Sequence, residues 1–412
     1  MKSFAEALKT LSQFRQQTAP DPYRPVEEYF KCQVSQMGSE MLPILNGWYV
    51  HDSDGLTTYD NGVVAGSLKT ALQRCPELVR PALSRISDKE RNELTDSNEQ
   101  QFNDGIFIYV PDDVNVEQPF QIVSLVNSRD DLLVQNRHVI RVGRNATLSL
   151  IQCDDSIRSV SHFLNIVTEI SLSENATLHY YKTENKEADS HLFHHVFVNQ
   201  QAFSMFQSNA ITFNAGYVCN NIHVNLSEPF AEARLYGLYL VDKTQQCDNH
   251  IKINHIATDC KSYQLYKGIL DDEAKAGFHG HVAVLPDAQR TNAFQTNRNI
   301  LLTDKASVNT KPFLEIYADD VQCSHGATVG QLDDEALYYL RSRGIGERSA
   351  RKLLMFAFAN EVCNYVRIPA LKDRLSDMVQ RRLNGELTIC DQCLLHNANH
   401  SELFFPIDET KI

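Results

Sequence analysis

The pattern of apolar and polar positions divides the chain into three textures. Residues 1–104 read as mostly helical. The opening "MKSFAEALKTLSQFRQQ" puts Phe4, Leu8, Leu11 and Phe14 near one helical face, and "SLKTALQRCPELVRPALSRI" (67–86) keeps a helical period. A polar run, "SDKERNELTDSNEQQ" (87–101), predicts a helix end and a linker. From "GIFIYV" (105–110) the texture changes. Runs such as "QIVSLV", "HVIRV", "TLHYYK", "ARLYGLYLV" and "FLEIYA" are rich in β-branched and aromatic residues and bounded by Asn, Asp, Gly and Pro. They predict strands through residue 332. Residues 333–412 return to the helical period. Asp333 or Asp334 caps "DEALYYLRSRG", Gly344 follows its end, and Pro369 opens "PALKDRLSDMVQRRL". There Leu371, Leu375, Met378, Val379 and Leu383 form one apolar stripe, which reads either as core or as a docking surface for another protein.

An internal repeat narrows the β architecture. "RNATLSL" (144–150) and "ENATLHY" (174–180) share one signature, with Ala146 and Ala176 lying 30 positions apart. Weaker echoes at Ala233, Ala288 and Ala306 follow at intervals of 57, 55 and 18. A small residue recurring just before a strand fits the corner of a stacked coil. The predicted fold is therefore mainly β: a parallel β-helix (solenoid) core over 105–332, flanked by N-terminal and C-terminal α-helical segments. A sandwich of hairpins competes, but the Asn-Gly and Asp-Gly turns it needs are nearly absent from this region.

Composition alters this picture little. The formal net charge of −13 argues against a nucleic-acid surface, and the basic stretch "RSRGIGERSARK" (341–352) reads as a solvated helix face. The longest apolar run, "LLMFAFA" (353–359), is too short to span a bilayer. The first residues lack the apolar core and cleavage site of a signal peptide, so the expected location is cytoplasmic. Ten scattered cysteines are then expected to be reduced. The sequons at Asn145, Asn175 and Asn225 are expected to be turn residues rather than glycan acceptors.

Candidate chemistry centres on "YADDVQCSHGATVG" (317–330). Read as one strand, "EIYADDVQC" puts Asp319, Val321, Cys323 and His325 on one face, and Asp320, Gln322 and Ser324 on the other. Cys323 and His325 would then lie about 6.5 Å apart along the strand. That is a two-ligand set, incomplete for a zinc or iron–sulfur site. Val321 beside Cys323 favours a buried thiol, and His325 is the better functional candidate. In "CDQCLLHNANH" (390–400), Cys390, Cys393, His396 and His400 nearly form a zinc pattern, but the spacing is too short for a zinc finger. His194, His195, His250, His255, His279 and His281 line a groove or are hydrogen-bonded structural residues. No P-loop, nucleophile-elbow or nicotinamide fingerprint occurs, so the chain is not expected to bind a nucleotide itself. A β-helix enzyme acting on an extended polysaccharide through Asp319 and Asp320 is the alternative.

Three longer stretches carry a resemblance: "SYQLYKGIL" (262–270), "FHGHVAVLPDAQRTNAFQTNRNILLT" (278–303) and "NTKPFLEIYADDVQCSHGATVGQLDDEALYYLRSRGI" (309–345). They resemble the SufB/SufD family of iron–sulfur cluster assembly proteins, and within it the SufD type. "CSHGATVG" has the SufD form, and Ala306 stands where SufB carries an essential cysteine. The resemblance implies a right-handed β-helix and a non-catalytic scaffold subunit in an ATPase-driven complex. It implies a heterodimer with a SufB-like paralogue and one SufC-like ABC ATPase on the C-terminal helical part, with a homodimer open to the isolated chain. His325 then matches the SufD histidine placed at the SufB interface as a nascent-cluster ligand, and Cys323 a neighbouring cysteine. The cofactors implied are a transient iron–sulfur cluster at that interface and a reduced flavin on the complex.

Overall fold

A computed structural model of the chain describes residues 4–17, 38–51, 54–86, 90–156, 161–185, 189–214 and 216–385. The N-terminal part contains α1 (Phe4–Leu11), β1 (Arg15–Gln16), β2 (Glu40–Leu45), β3 (Trp48–Tyr49), β4 (Leu56–Thr58), β5 (Val64–Ser67), α2 (Leu68–Arg74), α3 (Pro76–Val79) and α4 (Glu93–Gln101). The C-terminal part contains α5 (Asp334–Ser342), α6 (Glu347–Cys363) and α7 (Pro369–Asn384).

Between them lies a parallel β-solenoid of about seven turns. One sheet is built from β6 (Ile106–Val110), β8 (Leu132–Val142), β10 (His162–Leu172), β12 (Ser190–Gln200), β14 (Tyr217–Leu226), β16 (Gln246–His255), β18 (Lys275–Val284) and β20 (Ser307–Ile316). The second is built from β7 (Phe120–Val126), β9 (Thr147–Ser156), β11 (Thr177–Asn185), β13 (Met205–Asn214), β15 (Glu232–Val241), β17 (Lys261–Leu270), β19 (Thr291–Leu301) and β21 (Val321–Gly330). Each coil gives one strand to each sheet, and equivalent residues pair from coil to coil. Thr147, Thr177, Met205, Glu232, Lys261 and Asn292 form one such ladder. The parallel register stacks like on like. Leu148, Leu178, Phe206 and Ala233 are ladder partners and are all fully buried. One apolar cluster fills the interior from Leu42 to Ala318, each large side chain contributing on the order of 1.5–3 kcal/mol.

The repeat marks a real corner, though a different set of residues fills it. Asn145, Asn175, Phe203, Phe230, Asp259 and Arg290 all adopt positive φ. Each precedes a buried, mostly small residue: Ala146, Ala176, Ser204, Ala231, Cys260 and Thr291. Stacking between coils holds this conformation. Asn175 Nδ2 donates to Asn145 Oδ1 at 2.9 Å, the Phe203 and Phe230 rings stack at 4.9 Å, and Arg290 grips Asp259 with two bonds of 2.7 and 2.6 Å. Ala233 instead lies within β15, and Ala288 sits in the turn leading to Arg290. Ala306 belongs to the opposite corner, after β19, where Lys243 and Asp272 take the positive φ. Mixing two corners in one series explains the irregular intervals. Asn145 and Asn175 are corner residues as expected. Asn225 instead joins a strand ladder with Asn199 and Asn254.

Two expectations need correction. The described residues of 1–104 are not mostly helical, since β2–β5 extend both sheets beyond the first coil. Asn46-Gly47, with φ of 52° and 88°, turns β2 into β3, and Gly62 (φ 81°) lies in the connection between β4 and β5. These are hairpin dipeptides in apolar surroundings. The docking stripe is also corrected. Leu371, Leu375, Met378 and Val379 are all at most 1% exposed. They pack in one cluster with Ile211, Phe213, Leu238, Leu240 and Ile269 of the second sheet. This chain covers its own stripe. Arg382 locks α7 down by donating to the Phe213 carbonyl at 2.7 Å and to Asp242 at 2.8 Å. Asp333 caps α5 by accepting from the Glu335 and Ala336 backbone N–H groups.

Candidate functional site

Among the described residues, the last coil is the only place where the ladder runs out at full strand length. β20 and β21 end their sheets, with no further strand outside them among the described residues. Exposure rises accordingly. Phe313, Ile316, Tyr317 and Val329 are large apolar residues open to solvent.

"EIYADDVQC" is not one strand. The chain breaks between Ile316 and Val321 to turn a corner. Tyr317 N–H donates to the Val284 carbonyl at 2.9 Å, and the Asp320 carbonyl accepts from Arg290 N–H at 2.6 Å. Asp320 N–H donates to Gln289 Oε1 at 2.9 Å. Asp320 thus continues the corner ladder, and Asp319 is an exposed corner residue. An acid–base pair for polysaccharide cleavage finds no support there. The break is set by the preceding coil, not by any Gly or Pro in the stretch itself.

Past the corner, alternation places Val321, Cys323 and His325 on the side facing the solenoid axis. Val321 and Cys323 are half-buried against the interior cluster. Burial pushes the Cys323 thiol pKa up, partly offset by the Ala293 backbone N–H bonded to it. His325 pairs with Gln295, whose Nε2 donates to Gln264 Oε1 at 3.0 Å, so the column reads Gln264, Gln295, His325. Gln295 is 2% exposed, whereas His325 is open to solvent. Gln295 Oε1 is buried and has no hydrogen-bond partner among the described residues. Gly326, which follows His325, faces the opposite side, where a Cβ would meet nothing within 4 Å. The last coil is thus open around this position. Among the described residues no group of three His, Cys, Asp or Glu could hold a metal ion. Among the described residues the Cys323–His325 pair remains incomplete.

The other candidates are structural. His194 is buried and bonded to Thr168 at 3.0 Å, and His255 to Ser262 at 2.8 Å. His195 is fully buried. His250 and His279 are ladder partners whose rings stack at 4.9 Å. His281 meets Glu315 at 3.1 Å. Cys390, Cys393, His396 and His400 lie outside the described residues. The seven described cysteines are free thiols.

Sequence profiles decide the family. The profile for the "SUF system FeS cluster assembly, SufBD core domain" matches residues 124–358, and that for the "SufBD protein N-terminal region" matches residues 12–122. The chain belongs to the SufBD family.

Among curated SufBD relatives, a cluster-assembly SufBD family protein of Synechocystis is 30% identical over 83% of this chain and 77% of its own length. SufD of Escherichia coli is 34% identical over 60% of this chain and 59% of that protein. SufD of Bacillus subtilis is 27% identical over 79% and 75%. The chain is thus an iron–sulfur cluster assembly protein of the SufBD family, SufD-like by the names of these relatives. The core-domain match runs from within β7 through β21 and reaches into α6. Ala306 is buried at its corner and offers no thiol. No helix among the described residues is long and apolar enough to cross a membrane.

Sequence reasoning missed the glutamine column beneath His325. Gln264 and Gln295 lie 31 residues apart, and only the coil register joins them.

Proposed function

We propose that this chain is the SufD-like scaffold subunit of a cluster-assembly complex, and that its open last coil meets a SufB-like paralogue. The nascent iron–sulfur cluster is cargo at that contact. His325 supplies an imidazole ligand from this side, and Cys323 stands behind it as a secondary donor. The carrying observation is the contrast within one column, buried Gln295 followed by open His325. Imidazole is a weaker anchor for iron than thiolate, which suits a cluster that must leave. An incomplete ligand set is what one half of a shared site has. A SufC-like ATPase docks on the C-terminal helices. With the α7 stripe buried, its contacts fall to exposed residues such as Tyr338 and Tyr339 of α5. Closure of the ATPases would move the helices against the solenoid and so reach the open coil.

The test is co-expression of His325→Ala with the SufB-like and SufC-like partners, followed by iron, sulfide and visible-absorption measurements. The expected result is an intact complex without cluster. Wild-type cluster content in an intact complex would remove His325 from the mechanism.

A further inference from the structure

We propose that a groove on the outer face of the second sheet binds a small planar aromatic anion, a ring system carrying one phosphate or carboxylate. The groove lies between β15–β19 and α6, and encloses about 440 Å³, a volume usual for small-molecule sites. It lies on the face opposite to His325, and the proposal rests on this groove alone, independently of the cluster-assembly reading.

Its floor is low because Leu265 and Thr296, ladder partners, put short side chains there. One wall is a stack along the sheet: Tyr263 and Phe294 lie nearly parallel at 5.7 Å. The Tyr236–Tyr365 stack, at 3.9 Å, raises a step at the β15 end of the floor and suits a compact ligand over an extended chain. Phe294 and Tyr365 are 38% and 40% exposed. Partly exposed aromatic side chains on two sides of one groove offer apolar area to a planar ring.

The charge selects the sign. Glu361, on the α6 side, is neutralised by Lys267, and Arg234 is paired with Glu232. Arg298 is exposed, lines the groove and has no hydrogen-bond or ion-pair partner among the described residues. Beside open rings it supplies a fork for phosphate or carboxylate.

The test is fluorescence titration of the full chain with 1-naphthyl phosphate and 1-naphthoate, with 1-naphthol and inorganic phosphate as controls. Saturable binding of at least one naphthyl anion is expected, tighter than 1-naphthol and with inorganic phosphate unable to displace it at equal concentration. Arg298→Ala should weaken the anion roughly tenfold and leave 1-naphthol unchanged. Thr296→Trp, which fills the floor, should abolish binding of both. Equal affinity for 1-naphthol and the anions, no saturable binding below about 1 mM, or wild-type affinity in both variants would overturn the proposal. Both positions lie on the surface side of β19, and an unchanged unfolding midpoint checks the fold of each variant.

Discussion

Gln295 and His325 occupy the same position on successive coils, yet the first is sealed in the solenoid and the second faces solvent. A ladder position covered by its neighbours becomes exposed where no further strand follows among the described residues. His325→Ala should therefore change the free energy of unfolding by less than about 0.5 kcal/mol. Urea denaturation of the isolated chain measures this. A loss of several kcal/mol would make the ring structural and undo the functional assignment.

Cys323 should be a slow nucleophile. Its thiol pKa is raised by burial, so little thiolate exists at neutral pH. Alkylation by iodoacetamide at pH 7, followed by peptide mass spectrometry, should be slower at Cys323 than for a free cysteine peptide, and should accelerate with rising pH. Faster modification than the free peptide at pH 7 would contradict the half-buried placement.

Leu375→Ala should cost roughly 2–5 kcal/mol, because it opens a cavity between α7 and the second sheet. Thermal or urea unfolding gives the number. A change near zero would show that the stripe is a free surface after all.

Lys267 is 2% exposed beneath α6. Its Nζ donates to the Phe358 carbonyl at 2.9 Å, pairs with Glu361 and lies 4.2 Å from the Phe358 ring centroid. Lys267→Ala should loosen α6 from the sheet at a cost of about 2–3 kcal/mol, below the 3–5 kcal/mol of a fully buried pair because Glu361 reaches solvent. Hydrogen exchange should quicken in α6 before it does in β17. Uniform exchange across both elements would deny the lysine this role.

The buried histidines predict acid sensitivity. Burial lowers the pKa of His138 and of His255 to about 3 in each case, with Lys182 adding to the effect at His138. His138 Nδ1 also accepts the Ile106 N–H at 3.0 Å, a bond that protonation at that nitrogen would break. Unfolded histidine titrates near 6.5, so the unfolded chain binds more protons between about 6.5 and 3. Stability is fully present above about pH 6.5 and falls as pH drops toward 3. Urea midpoints across this range should decline, and His138→Asn, which keeps an acceptor but no titrating ring, should flatten the slope. A pH-independent midpoint from 6.5 to 4 would refute the burial of neutral imidazoles.

Much of the fold was legible because it is written locally. Alternating apolar runs located the solenoid strands, and Asn145-Ala146 and Asn175-Ala176 marked one corner. The hidden part depends on neighbouring coils. Phe203 and Arg290 are poor candidates for positive φ on their own, and become corner residues through Phe230 and Asp259 one coil away. The same holds at Tyr317–Asp320, where hydrogen bonds to the Val284 carbonyl and Gln289 Oε1, and one from Arg290 N–H, bend a segment that reads as continuous strand. At the candidate site, alternation identified the side of Cys323 and His325. Only the end of the ladder shows why one is covered and the other open. The α7 stripe was visible as apolar, but its partners on β13, β15 and β17 lie more than a hundred residues earlier.

The two ends of the solenoid are unequal. At the N-terminal end the sheets finish in β3 and β4, of two and three residues, both antiparallel to their neighbours. At the other end they finish in ten-residue strands with no further strand outside them among the described residues. Growth by strand addition therefore has one permitted direction. A second solenoid can join only by offering its own long edges, and that meeting leaves no long edge over. Edge-to-edge pairing of this kind would use up the long edges and leave none for a third solenoid.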